Sequence, residues 1–137
     1  MSPELIFLRQ HMDAMRQQVL TALPEEACGL VGGKDSRAEL IIPISNSQHS
    51  PTRFFMEPQE LYFGLKLIDA LDLELVGVYH SHPAGPPTPS DSDTAEYGYP
   101  EAAALIWSPA GGAWQVRGFM IEGLTIKEVS LKIDPRA

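Results

Sequence analysis

Two histidines one residue apart, His80 and His82, close an apolar run, Leu75-Val76-Gly77-Val78-Tyr79. Such a run reads as a buried strand. Side chains alternate faces along a strand, so both imidazoles project to one side of its end and Ser81 to the other. Two imidazoles so placed can grip one metal ion. Pro83 removes a backbone donor and ends the ladder. A loop carrying Pro83, Pro86, Pro87 and Pro89 then leads to Ser90 and Asp93. Its fixed φ angles let the chain return to the histidines at low entropic cost. Asp93 would supply a third, anionic ligand. Two histidines and a carboxylate leave a fourth tetrahedral position for water, the ligand set of a catalytic zinc rather than a closed structural one.

Other readings of the same residues stand beside that one. A buried histidine is more often a hydrogen-bonded core residue than a ligand. Ser90 and Asp93 also have the spacing of a capping box, with Ser90 as N-cap and Asp93 at the third position of a helix running through Tyr97. The cap and the ligand are compatible, because such a serine and acid can start a helix and still face a metal. The ordered combination H-x-H-x7-S-x2-D, after a strand and before a helix, is far more specific than its parts.

The elements that must position these groups follow from periodicity. Leu5, Leu8, Met12, Met15 and Val19 recur at spacings of three and four, which predicts an amphipathic helix from about Pro3 to Ala22, closed by Pro24. Met12 and Met15 then serve as core filler, and His11 falls on the exposed face. Ala27 to Gly32 reads as a short strand, joined by a Gly33–Ser36 turn to a second, Ala38 to Ile44. Asn46 to Thr52 is loop, and Arg53 to Met56 is short and extended. Pro58 suits the first position of a helix whose apolar stripe is Leu61, Leu65, Ile68 and Leu71. The metal strand follows, then the helix opened by Ser90, expected to end near Pro100. Ala102 to Trp107 is a further strand, Pro109 to Gly112 a turn, and Trp114 to Ile121 the hairpin partner. Glu122-Gly123 turns into Leu124 to Ile133, whose imperfect alternation allows a bulge. The expected fold class is α/β: a single layered domain over residues 1–137, with a mixed β-sheet flanked by helices. Pattern alone does not give the strand order.

Composition narrows the class of function. At 137 residues one domain is the default. A net charge of −8 argues against a phosphate-backbone partner, so no nucleic acid is expected. One cysteine, Cys28, cannot form an internal disulfide, which fits a reducing cytosol. No stretch reads as a signal peptide or reaches membrane-spanning length, so the expectation is a cytoplasmic protein with no membrane partner.

The residues around both histidines resemble a known signature. His80-Ser81-His82-Pro83, with Ser90 and Asp93 at their spacing, is similar to that of the JAMM zinc metallopeptidases, the catalytic MPN-domain family. The second half of that signature is a glutamate just before a Cys-Gly-apolar strand. Here Pro24-Glu25-Glu26-Ala27-Cys28-Gly29-Leu30 places Glu26 at that position. The segment from Asn46 to Phe54 resembles the small prokaryotic JAB branch. The likeness runs from about Leu5 to Leu124, and no motif position departs from it.

The resemblance implies an MPN, cytidine-deaminase-like architecture, one zinc ion held by His80, His82 and Asp93, and hydrolysis of a peptide or isopeptide bond. It further implies cleavage after the C-terminal Gly-Gly of a ubiquitin-like or sulfur-carrier protein. Zinc lowers the pKa of bound water to about 7. A base must take the water proton and hand it to the leaving amine, and Glu26 is the candidate. From the residues alone, Glu26 could equally be a surface carboxylate like its neighbour Glu25. Ser90 is placed to donate to the developing oxyanion. Cys28, on an apolar strand with no base beside it, reads as core rather than nucleophile. Arg53 is either a guide for substrate or an ordinary surface cation. Two alternatives come from other classes. One is a catalytically inert MPN-type scaffold, disfavoured because the motif set is intact. The other is a non-haem iron enzyme, for which two histidines and a carboxylate also suffice but Glu26 and Ser90 have no part.

Overall fold

The computed structural model describes residues 4–135. In chain order they form β1 (Glu4–Phe7), α1 (Arg9–Ala22), β2 (Cys28–Lys34), β3 (Arg37–Ile44), α2 (Pro58–Ala70) and β4 (Glu74–Ser81). Then come α3 (Asp91–Glu96), β5 (Ala103–Ala110), β6 (Ala113–Glu122) and β7 (Thr125–Ile133). The sheet is mixed and helix-flanked, as expected, but it is not open. Its hydrogen-bonded order, β1-β3-β2-β4-β5-β6-β7, curls into a closed barrel.

Closure depends on the first segment, where the structure corrects the sequence reading. Glu4–Phe7 is a strand and not the first turn of the helix. Leu5 and Phe7 are buried while Glu4 and Ile6 are half-buried, which is a period of two. Four residues are too few to separate that period from the three-and-four spacing that begins at Leu5. The segment pairs in parallel with β7 from Glu4↔Ser130 to Phe7↔Ile133 and meets β3 at Ile6↔Arg37. The expected helix start at Pro3 lies outside the described residues.

His11 is corrected too. It is buried, not on the exposed face, because its Nδ1 accepts the Leu8 N–H at 3.1 Å and satisfies a donor that the helix start leaves free. Met12, Met15 and Val19 face the core as expected.

The β2–β3 hairpin forms with its turn at Asp35 and Ser36, both at positive φ, as a two-residue hairpin loop requires. Pro58 opens α2, with Glu57 as the cap accepting from the Gln59 and Glu60 N–H groups. Leu61, Leu65 and Ile68 turn inward, but Leu71 is the C-cap and is exposed. The helix after Ser90 ends at Glu96, short of Pro100, because Tyr97 leaves the helical path and its hydroxyl donates to Ala102 O at 2.6 Å. β5 runs on to Ala110, so the following turn is Gly111-Gly112. No bulge interrupts β6–β7, whose register is continuous from Gly118↔Val129 to Glu122↔Thr125. The imperfect alternation arises because Leu124 is in the turn and only Val129 of β7 is buried.

The two larger core clusters among the described residues lie on opposite faces of the sheet, and a smaller third one joins Ala104, Ile106, Phe119 and Ile121. Of the larger two, one joins α1 to Val31, Tyr79, Leu105 and Trp107. The other joins α2 to Cys28, Leu30, Ile44 and Val78. Consecutive residues of β4 therefore serve different cores, and even-numbered positions from Val78 onward face the α2 side. Gly29 is required by this packing, since a Cβ there would lie 2.3 Å from the Tyr79 ring. Among the described residues no helix is long and apolar enough to cross a membrane.

Candidate active site

His80 is the penultimate residue of β4, and His82 lies just past the strand's end. Both imidazoles turn to one side, while Ser81 turns to the other and accepts the Ala27 N–H on its Oγ at 2.8 Å. The proline-rich loop brings α3 back, as its stiffness predicts. The His80 and His82 Nε2 atoms are 3.0 Å apart, and Asp93 Oδ2 lies 3.2 Å from the first and 3.0 Å from the second. Cap and candidate ligand coincide. The Asp93 N–H donates to Ser90 Oγ at 3.0 Å, and the Ser90 N–H donates to the same Oδ2 that faces the histidines at 2.9 Å.

The donor set suits a small divalent cation. His82 Nδ1 donates to Pro86 O at 2.7 Å, so this ring carries its proton there and turns a lone pair on Nε2 inward. His80 stacks on Phe54 with centroids 4.5 Å apart, and its burial pushes its pKa down, which keeps the ring neutral. Three donor atoms thus converge with too few protons to hydrogen-bond one another fully. Their separations are close to the edge, about 3.3 Å, of a tetrahedron with bonds of about 2.0–2.1 Å. All three residues are mostly buried, so water cannot easily satisfy those lone pairs.

The electrostatics are coupled. Burial works to raise the Asp93 pKa, but the two histidine rings beside Oδ2 and the Ser90 N–H outweigh it and hold the carboxyl well below its usual range. Burial pushes His82 down, yet the nearby Asp93 carboxylate, the Pro86 carbonyl and Glu26 favour the protonated ring and leave its pKa above the ordinary value.

Glu26 reaches this centre through strand pairing. β2 and β4 run antiparallel with Cys28 opposite His80, and the ladder continues with the Ser81 N–H donating to Ala27 O at 3.0 Å. One residue further along each chain come Glu26 and His82, close enough to couple electrostatically. Glu26 is only 3% exposed, and burial pushes its pKa up to about 7, with His82 opposing and Asp93 adding to the rise. Glu25, half-buried, pairs with His49 at 3.1 Å on the surface. The two glutamates therefore differ in setting, Glu26 buried and Glu25 paired at the surface. Cys28 is fully buried, its Sγ bonded to Ile44 O at 3.3 Å and its thiol pushed up to about 12 by burial, so it is core.

Three contributions were not legible in the sequence. Asn46 holds the loop that covers the site, donating to Glu26 O and Arg53 O and accepting from the Gln48 and Phe55 N–H groups. Ser92 bonds to the Ser90 hydroxyl at 3.2 Å. Beside His80 and Asp93 opens a cavity of about 420 Å³, walled by Phe54, Val78, Tyr97, Ile106 and Ile121, with Arg53 at its mouth. Its walls come from distant segments, so no local pattern signals it. The loop's Asn-x6-Arg-Phe order was the available hint.

Residues 8–117 match the family described as prokaryotic homologues of the JAB domain. A desampylase of Pyrococcus furiosus is 35% identical over 88 residues, 64% of this chain and 63% of that protein. A probable TtuB-protein conjugate cleaving protease of Thermus thermophilus is 36% identical over 86 residues, 62% of this chain and 57% of that protein. These matches span less than two thirds of the relatives' own length. The solution structure of a protein from Desulfitobacterium hafniense superposes with a TM-score of 0.82 at 30% identity, covering 95% of this chain and 94% of that one. The family match spans the strand that carries the histidines, the helix that carries Asp93 and the glutamate before β2, and the chain belongs to the prokaryotic homologues of the JAB domain.

Proposed function

We propose that the chain acts as a single domain that hydrolyses a peptide or isopeptide bond, using one zinc ion held by His80, His82 and Asp93. The observation that carries the reading is a buried glutamate beside three convergent metal-type donors. Zinc, when bound, activates water and polarises the scissile carbonyl. The chain's own groups supply the rest. Asp93 contributes a negative charge kept ionised by its hydrogen bonds. Pro86 O fixes the His82 ring, and Phe54 fixes the His80 ring. Glu26, raised to about 7, is poised both to take a proton from water and to return it to the leaving amine. The Ser90 Oγ accepts the Asp93 N–H, which leaves its own proton free for a substrate oxygen or for Ser92.

The substrate in this reading is a ubiquitin-like or sulfur-carrier protein cleaved after its C-terminal Gly-Gly. Support comes from relatives whose names describe cleavage of a protein conjugate and a desampylase activity. The buried, reduced thiol of Cys28 fits a cytoplasmic setting. The test is metal analysis of protein purified without added metal, followed by incubation with small β-grasp proteins carrying C-terminal or lysine-linked extensions and read by intact mass. Stoichiometric zinc with a product ending in Gly-Gly is the expected result. Iron in place of zinc, or zinc without cleavage of any member of the panel, would refute the assignment.

A further inference from the structure

We infer that the cavity beside the site selects the group that leaves: its apolar walls take the side chain of a C-terminal residue, and Arg53 takes that residue's free carboxylate. This rests on the hydrolase reading above. The cavity adjoins His80 and Asp93, so whatever fills it lies next to the bond that breaks. Its floor is apolar and dry-walled, with Val78, Ile106 and Ile121 at most 4% exposed, which favours an occupant with a large apolar side chain. Two glycines before the scissile bond carry no side chain and cannot fill about 420 Å³. The inference assigns the space to the residue on the other side of that bond.

The mouth adds the second half of the argument. Arg53 is exposed there, and among the described residues no carboxylate pairs with its guanidinium, in a chain whose net charge is −8. Its backbone is held by Asn46 through Arg53 O at 3.0 Å, so the side chain starts from a fixed point. A guanidinium matches a carboxylate as a fork. Near a scissile bond, the one main-chain carboxylate available belongs to a C-terminal residue; a lysine inside a protein has its carboxyl tied up in a peptide bond. Glu96, also exposed at the mouth, disfavours an acidic side chain at this position. The step is a simple hydrolysis. Water's oxygen adds to the acyl carbon of the second glycine, the C–N bond breaks, and the departing nitrogen takes the proton. The products are a carrier ending in a glycine carboxylate and a free amino acid.

The test has a catalytic and a binding arm. With the zinc-loaded protein, a β-grasp carrier ending in Gly-Gly-Leu should be cleaved with a kcat/KM about tenfold above that of the same carrier ending in Gly-Gly-leucinamide. It should also exceed carriers ending in Gly-Gly-Ala or Gly-Gly-Asp, and a lysine-linked conjugate. In Arg53→Gln the acid-over-amide ratio should fall to near one. In the binding arm, metal-free protein is titrated with L-leucine and with L-leucinamide, and the amide shifts of Phe54, Tyr97 and Ile106 are followed. L-Leucine should move them more strongly than the amide, and Arg53→Gln should remove the difference. Equal cleavage of acid and amide, or a preference for the lysine-linked conjugate, would overturn the inference while leaving the hydrolase reading intact. Failure to cleave any substrate would sink that reading, and the leucine titration would still decide whether the cavity binds a free amino acid.

Discussion

Tyr79 and His80 are neighbours in one strand and belong to different worlds. Tyr79 faces α1, fully buried, and its hydroxyl is bonded to Gln18. Ser81 joins it on that side and closes onto Ala27. That face is a packed core. His80 and His82 face the other way, where α2 covers Cys28, Leu30 and Val78 and the end of β4 is roofed by the Asn46–Met56 loop and α3. Loops pack less completely than a helix, and the gap they leave holds the donors and the cavity. The pleat of one strand thus separates a packed core from the candidate site, and the two should respond differently to substitution.

The largest expected effect is on the open face. His82→Ala removes one of three donors and should abolish stoichiometric zinc binding together with turnover, while the melting transition of the metal-free protein stays cooperative. Full zinc occupancy in that variant, with adventitious metal controlled, would dissolve the contrast. Glu26→Gln should keep zinc and lower turnover by about 10²–10⁴-fold, because it keeps the shape but cannot accept a proton. The same variant carries a pH signature. With its folded pKa raised from 4.5 to about 7, Glu26 binds its proton more tightly when folded. The metal-free protein should therefore lose stability as pH rises from about 4.5 to about 7, by roughly 3 kcal/mol. Glu26→Gln should flatten that slope. Denaturant titrations across the interval decide it.

On the packed face, Met15→Ala empties a fully buried site in α1 and should cost about 2–5 kcal/mol, with zinc content unchanged at temperatures well below the transition. Ser90→Ala sharpens the comparison most finely, since the residue serves both purposes. As a cap alone it should cost about 0.5–2 kcal/mol and spare catalysis. As an oxyanion donor its loss should lower kcat by about 10²–10³-fold in fully metallated protein. The second outcome is expected, and a kcat within threefold of the parent would leave Ser90 as a cap.

What could be read beforehand tracks how local each feature is. His80, His82, Ser90 and Asp93 lie within fourteen residues, and strand pleat plus a capping box suffice to aim them. The α1 stripe was legible from Met12 onward for the same reason. Leu5 was not, because its strand character comes from β7, more than a hundred residues away. His11 reads as an exposed helix position until Leu8 N–H is seen to need an acceptor. Glu26 could be told from Glu25 only by resemblance, since their difference is made by the pairing of β2 with β4. The cavity and the four-bonded Asn46 were beyond reach, being products of the closed fold.

That pairing of β2 with β4 has a consequence for how the protein comes to life. The three donors can meet through a short loop, whereas Glu26 joins them only when strands more than fifty residues apart zip together. On the zinc-hydrolase reading proposed above, capture of the ion would be a local event and cleavage a global one. A half-folded chain would then be loaded and not yet active. Refolding watched at once by zinc uptake and by cleavage should show uptake leading; simultaneous onset would mean the ion, too, waits for the whole barrel.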